Sequence, residues 1–194
     1  MAKCVGRELV EAKGMDVDSL INVLVERALA EMGNYYYFTL LRIHLLGVDG
    51  EALRRIIEQV REQDRRHFEL LVPRIYELGG RLPESVEQEF GTLSALRVLP
   101  VEADVPKILP ILLQAAEASV KAYTNLCAMT IGKDNHTYNL ALAIRQDEIQ
   151  HQVRFLEMLG RGAAEPRLQT SAEILLSVGQ LGAPLAPVRV GVGA

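Results

Sequence analysis

Cysteine is scarce in this 194-residue chain, with Cys4 and Cys127 its whole complement. Two thiols cannot build a disulfide framework, which predicts a reducing compartment and leaves room for at most one redox-active thiol. Positive charge is thin as well. There are 21 Lys+Arg against 25 Asp+Glu, a net charge of -4, and the N-terminus MAKCVGRELVEAKG scatters its bases instead of gathering them into an arm. Strong electrostatic DNA binding by a single subunit is therefore not expected. No secretory apolar segment follows Met1 and no apolar run reaches membrane-spanning length, so a cytoplasmic protein is expected. Strand-like alternation is rare too, which leaves helices to build the fold.

Four long amphipathic segments carry most of the sequence, and the predicted fold class is all-α. The first starts near Asp16 or Asp18, both good N-caps, and runs to about Leu46, where GVDGE breaks it. The second spans roughly Glu51 to Leu78 and stops at Gly79-Gly80. The third begins around Asp104, with Pro106 in its first turn and a kink expected at Pro110, and ends at IGKDN. The fourth runs from about His136 to Leu159. Two connections are tight, and the one between the second and third segments is long, with room for a short helix. Short, long, short is the pattern of a four-helix bundle with one crossover, placed here over residues 15–160 with an apolar tail at 161–194. The halves echo each other, each a helix, a tight turn and a helix bearing an acid-x-x-His.

The last of these stands in RQDEIQHQ, where Glu148 and His151 lie three residues apart on one helical face. Alone, such a pair is usually solvated. Context decides. Steps of three and four give inward stripes through Ala28, Glu31 and Tyr35; Val60, Asp64 and His67; Leu113, Glu117 and Val120; and Ile144, Glu148 and His151. Each stripe is apolar except near its middle, where together they carry four carboxylates and two histidines. Four carboxylates buried at one level would repel and bear a large desolvation cost unless cations compensated them. A pair of metal ions supplies that charge, and Glu from two helices with acid-x-x-His from two others is the donor set of di-iron and di-manganese carboxylate bundles. Oxygen and imidazole donors suit iron and manganese, whereas structural zinc more often recruits thiolates.

AEMGNYYYFTLLRIHLLGVDGE, EQDRRHFELLVPRIYELGG and LAIRQDEIQHQ resemble the archaeal and bacterial Dps-like proteins of the ferritin superfamily, whose metal site lies within one subunit's bundle as in bacterioferritin. The resemblance covers roughly residues 15–160. It implies a ferritin-like four-helix bundle, a hollow dodecamer, oxidation of Fe(II) with hydrogen peroxide as preferred oxidant, and storage of the ferric product. Carried over by position, Glu31 and Glu117 are terminal carboxylates, Asp64 and Glu148 bridging carboxylates, and His67 and His151 terminal ligands of two irons. The chain departs from the pattern twice. Asp64 stands where Glu is usual, which shortens that bridge. Some relatives carry a cysteine pair near the metals, but Ser119 stands two residues after Glu117, leaving only Cys127.

Other polar and aromatic residues are assigned plainer roles. Tyr35, one turn beyond Glu31, divides between core packing and a bond to a ligand, while Tyr123 and Tyr138 are read as core or interface. His44 and His136 sit near helix ends as capping or surface groups, Glu26 is solvated, and Cys127 is a buried small hydrophobe. The tail EILLSVGQLGAPLAPVRVGVGA has two readings: a strand of chain packed at a subunit interface, or a docking segment. LSVGQL, residues 176–181, resembles the peptides by which ferritin-like cargo docks in encapsulin shells, which places that contact at 175–182. Three rival activities follow from the same residues. A dimanganese catalase uses much the same six ligands. A rubrerythrin-like peroxidase is disfavoured because no CxxC pair exists, and a DNA-coating protein is disfavoured by the acidic balance.

Overall fold

A computed structural model describes residues 5–84 and 104–160, and all the regular structure among them is helical. Helix α1 spans Val5–Glu11, α2 Val17–His44, α3 Gly47–Glu77, α4 Val105–Thr130 and α5 Asn135–Met158. No helix among the described residues is long and apolar enough to cross a membrane. The expected short helix in the crossover and both readings of the tail fall on residues outside those described.

The four long helices start and stop for local reasons. Asp16 caps α2 by accepting from the Ser19 amide, and Asp134 caps α5 by accepting from the Thr137 amide, two residues ahead of His136. The turn before α3 is sharper than the expected break at GVDGE. Leu45 and Leu46 are extended, Gly47 takes φ 75°, and Val48 to Gly50 are already helical. Past the end of α3, Gly79 takes φ 84° and the Gly80 amide donates back to the Ile75 carbonyl, closing the helix. Pro106 sits in the first turn of α4 as expected, and Pro110 is accommodated inside the helix. Helix α1 was not expected. Its seven residues bury only Val10, too little apolar surface to register as a periodic stripe.

Helix α2 packs along α3, α4 along α5, and α3 faces α5. Side chains from all four fill two apolar clusters. One gathers Phe38, Leu41, Leu53, Ile57, Leu109, Leu112 and Phe155, the other Leu20, Leu24, Leu71, Ile75, Leu126 and Ile144. Between Ala28 and Tyr37 on α2, Val60 and Leu71 on α3, and Ile144 and Phe155 on α5, the buried apolar run of these three helices is interrupted by Glu31, by Asp64 and His67, and by Glu148 and His151. That interruption is the polar layer. A second buried polar knot ties the end of α3 to the start of α5: Arg74 donates to Asp134 at 2.7 Å, to Thr137 at 2.8 Å and to Glu77 at 3.0 Å.

Candidate metal centre

Glu31 from α2, Asp64 and His67 from α3, and Glu148 from α5 each present one donor atom, and these atoms lie within 4.8 Å of one another. All four residues are at most 3% exposed, and His151 joins them at 2%. The i, i+3 spacing does what it was expected to do, because Asp64 lies over His67 and Glu148 over His151 on the inward faces of α3 and α5. His67 Nδ1 is 3.3 Å from Glu31 Oε2 and 3.5 Å from Glu148 Oε1. His151 Nδ1 is 3.4 Å from Glu148 Oε2, and the two rings are 6.4 Å apart. Both Nδ1 atoms therefore face the carboxylates.

Their Nε2 atoms face the other way, each to a residue of the opposite half. His67 Nε2 donates to Asp147 Oδ2 at 3.1 Å, and His151 Nε2 to Gln63 Oε1 at 3.0 Å. With Nε2 committed to these bonds, Nδ1 is the nitrogen turned toward the carboxylates, the one a metal would take up on displacing its proton. Neither Gln63 nor Asp147 was identified from sequence. Each immediately precedes the bridging-type carboxylate of its own half, and that matched offset is the one sequence signal that marks them.

Glu117 is not brought to this centre. It is exposed on α4, because the buried line of that helix runs through Leu112, Ala116, Tyr123 and Thr130, one residue and so about 100° from the stripe read through Leu113, Glu117 and Val120. Tyr123 occupies the centre from α4 instead. It is fully buried, and its hydroxyl donates to Glu31 Oε1 at 2.5 Å. Tyr35, by contrast, lies against the Arg61 guanidinium, 5.3 Å from the ring centroid, and does not reach the ligands. Cys127 is buried in the apolar cluster, as expected.

The charge balance is that of a site built for cations. Burial works against a charged imidazole at His67, yet Asp147, Glu148 and Glu31 outweigh it and push the ring up to about 12. Burial also opposes ionisation of Glu148, but His151 and His67 prevail and hold it down at about 2. Asp64 moves the other way. Burial, with Glu31 and Glu148 beside it, raises its carboxyl well above the ordinary range, and burial raises Glu31 too, with partial relief from His67. Protons thus sit where positive charge is needed. Two buried oxygens make no hydrogen bond, Asp64 Oδ2 and Glu148 Oε1, the latter with only the long 3.5 Å contact to His67 Nδ1. Orphaned acceptors of this kind carry a desolvation cost that a bound cation removes, so the residues present fit a metal ion.

The Ferritin-like domain family model matches residues 21–164. The DNA protection during starvation protein of Pyrococcus furiosus is 50% identical over 155 residues, which are 79% of this chain and 83% of that protein. Among solved structures, the bacterioferritin-related protein of Bacteroides fragilis, described as a dodecameric thioferritin, superposes with a TM-score of 0.73 at 23% identity, over 79% of this chain and 90% of that one. Dps from Listeria monocytogenes gives 0.66 at 14% identity, over 75% and 96%. With a buried carboxylate and histidine centre inside a four-helix bundle, and with these relatives, the chain belongs to the ferritin-like family as a homologue of Dps.

Proposed function

We propose that the protein is a ferroxidase that oxidises Fe(II) with hydrogen peroxide at a dinuclear carboxylate centre and stores the ferric product, protecting the cell against oxidative stress. The observation that carries this reading is the convergence of Glu31, Asp64, His67 and Glu148 donors within 4.8 Å, two of their oxygens buried without a hydrogen bond. In this reading Asp64 and Glu148 bridge two irons, Glu31 and His67 complete one position, and His151 serves the other. Glu117 would complete the second position only by turning inward from solvent. Iron is the substrate. Each Fe(II) gives up one electron, the O–O bond of the peroxide breaks, and with two protons two water molecules form. Pairing the electrons avoids release of a hydroxyl radical, and anionic oxygen donors favour the ferric product.

Storage calls for a cage, and the dodecameric B. fragilis relative supports a homo-oligomer of that kind. The name of the P. furiosus relative fits protection of DNA by removal of iron and peroxide. The net charge of -4 argues against coating DNA directly. Docking of residues 175–182 in an encapsulin shell, and a cytoplasmic or shell-enclosed location, belong to the same proposal. Fe(II)-loaded and Mn(II)-loaded protein, each mixed with hydrogen peroxide while ferric absorbance and evolved oxygen are followed, tests it. Ferric product without oxygen is expected from the iron form. Vigorous oxygen evolution from the manganese form alone would replace ferroxidation with a catalase activity.

A further inference from the structure

The centre looks two-fold, yet its two halves differ in one chemical respect. Each histidine is held by the residue that precedes the opposite half's bridging carboxylate: His67 by Asp147 at 3.1 Å and His151 by Gln63 at 3.0 Å. The distances match, and both partners are half-buried, so geometry and solvent do not distinguish the halves. Charge does. An ionised carboxylate accepting an Nε2–H makes a stronger, charge-assisted bond than an amide oxygen and pushes electron density toward the ligating Nδ1. We infer that the two metal positions are therefore unequal, with Asp147 making the His67 position the tighter one and Gln63 leaving the His151 position the weaker, so that the ions bind in order.

A second observation points the same way. Glu31, Asp64 and Glu148 all offer oxygens around His67, within 4.8 Å, whereas the carboxylate beside His151 Nδ1 is Glu148 alone, at 3.4 Å. The stronger imidazole thus stands in the better furnished half. Asp147 and Gln63 touch no metal in this scheme. They are positioning residues that act through the histidines, and the difference between them would let a first ion settle before a second arrives.

This inference rests on the dinuclear reading, and Co(II) alone, titrated without oxygen into the full-length apo-protein, separates the two. Calorimetry and the ligand-field absorption of Co(II) report each step. Two resolved steps are expected for the natural chain. Asp147→Asn, nearly isosteric, weakens the tighter step by roughly tenfold and leaves the weaker one in place. Gln63→Glu strengthens the weaker step and draws the two together, a gain that a merely damaged fold would not produce. Two Co(II) bound with equal affinity, or variants that leave both steps unchanged, would overturn the inference while the dinuclear reading stands. Fewer than two Co(II) per chain at millimolar metal would overturn the dinuclear reading, and this inference with it.

Discussion

Tyr123→Phe removes a single oxygen from the centre and leaves the ring that fills the space. The hydroxyl is fully buried and donates to Glu31 Oε1 at 2.5 Å, and Glu31 is itself only 2% exposed, so no water can take its place. A hydrogen bond to such a group contributes about 1.5–3 kcal/mol. Because the aromatic volume is kept, no cavity cost adds to it. For a bundle of this size about 1 kcal/mol moves the midpoint by ~2–4 °C, so the metal-free variant should melt roughly 3–12 °C lower. The metal-bound protein should lose less, since a cation beside Glu31 gives the abandoned oxygen a new partner. Thermal unfolding followed by circular dichroism, with and without saturating Zn(II), reads both quantities. A metal-free midpoint unchanged within 1 °C, or an equal loss with and without Zn(II), would refute the reasoning.

Other predictions probe the charges and the opposite end of the bundle. Arg74→Met strands Asp134 in a 4% exposed site and should cost about 3–5 kcal/mol in denaturant unfolding, with metal stoichiometry unchanged. Glu117→Ala should shift stability by less than about 0.5 kcal/mol, because the side chain is exposed, and should leave the tighter Co(II) step intact in titration. Metal binding must displace a proton from His67, pushed up to about 12, so affinity should rise from pH 6 to pH 8, with proton release visible as a buffer-dependent heat in calorimetry. His67, Asp64 and Glu31 also give the metal-free protein a signed pH profile. His67, pushed up to about 12, stabilises fully below its ordinary 6.5 and loses that contribution as pH climbs toward 12, so the unfolding midpoint should fall across that window. Raised Asp64 and Glu31 act with the same sign from their ordinary 3.8 and 4.5 upward, and saturating metal should flatten the profile.

Sequence reasoning succeeded where the physics is local. Asp16, Gly79 and Pro106 mark helix ends through bonds and dihedrals that span only a turn, and each is found near its expected place. Asp64-x-x-His67 and Glu148-x-x-His151 need only the helical repeat to share a face, and all four are buried together. Failure came where one residue of register matters. Stepping along α4 through Leu113, Glu117 and Val120 put Glu117 on the inward stripe, whereas the buried line through Ala116, Tyr123 and Thr130, spaced by sevens and one residue out of register, marks the inward face. Gln63 and Asp147 were invisible for a different reason. Their histidines lie 88 and 80 residues away in the chain, and only the packing of α3 on α5 pairs them. Nor could spacing foresee that two oxygens would be left without a hydrogen bond, since that depends on what every neighbouring helix presents.

The most direct test of the centre is anaerobic binding of Fe(II) to purified apo-protein, followed by stoichiometric hydrogen peroxide, with the Glu148→Ala/His151→Ala double variant alongside. Two Fe(II) per subunit and a rapid ferric signal, both lost in the variant, are predicted. Weak or single binding by the natural chain, or an equal ferric signal from the variant, would contradict a dinuclear ferroxidase centre at these residues.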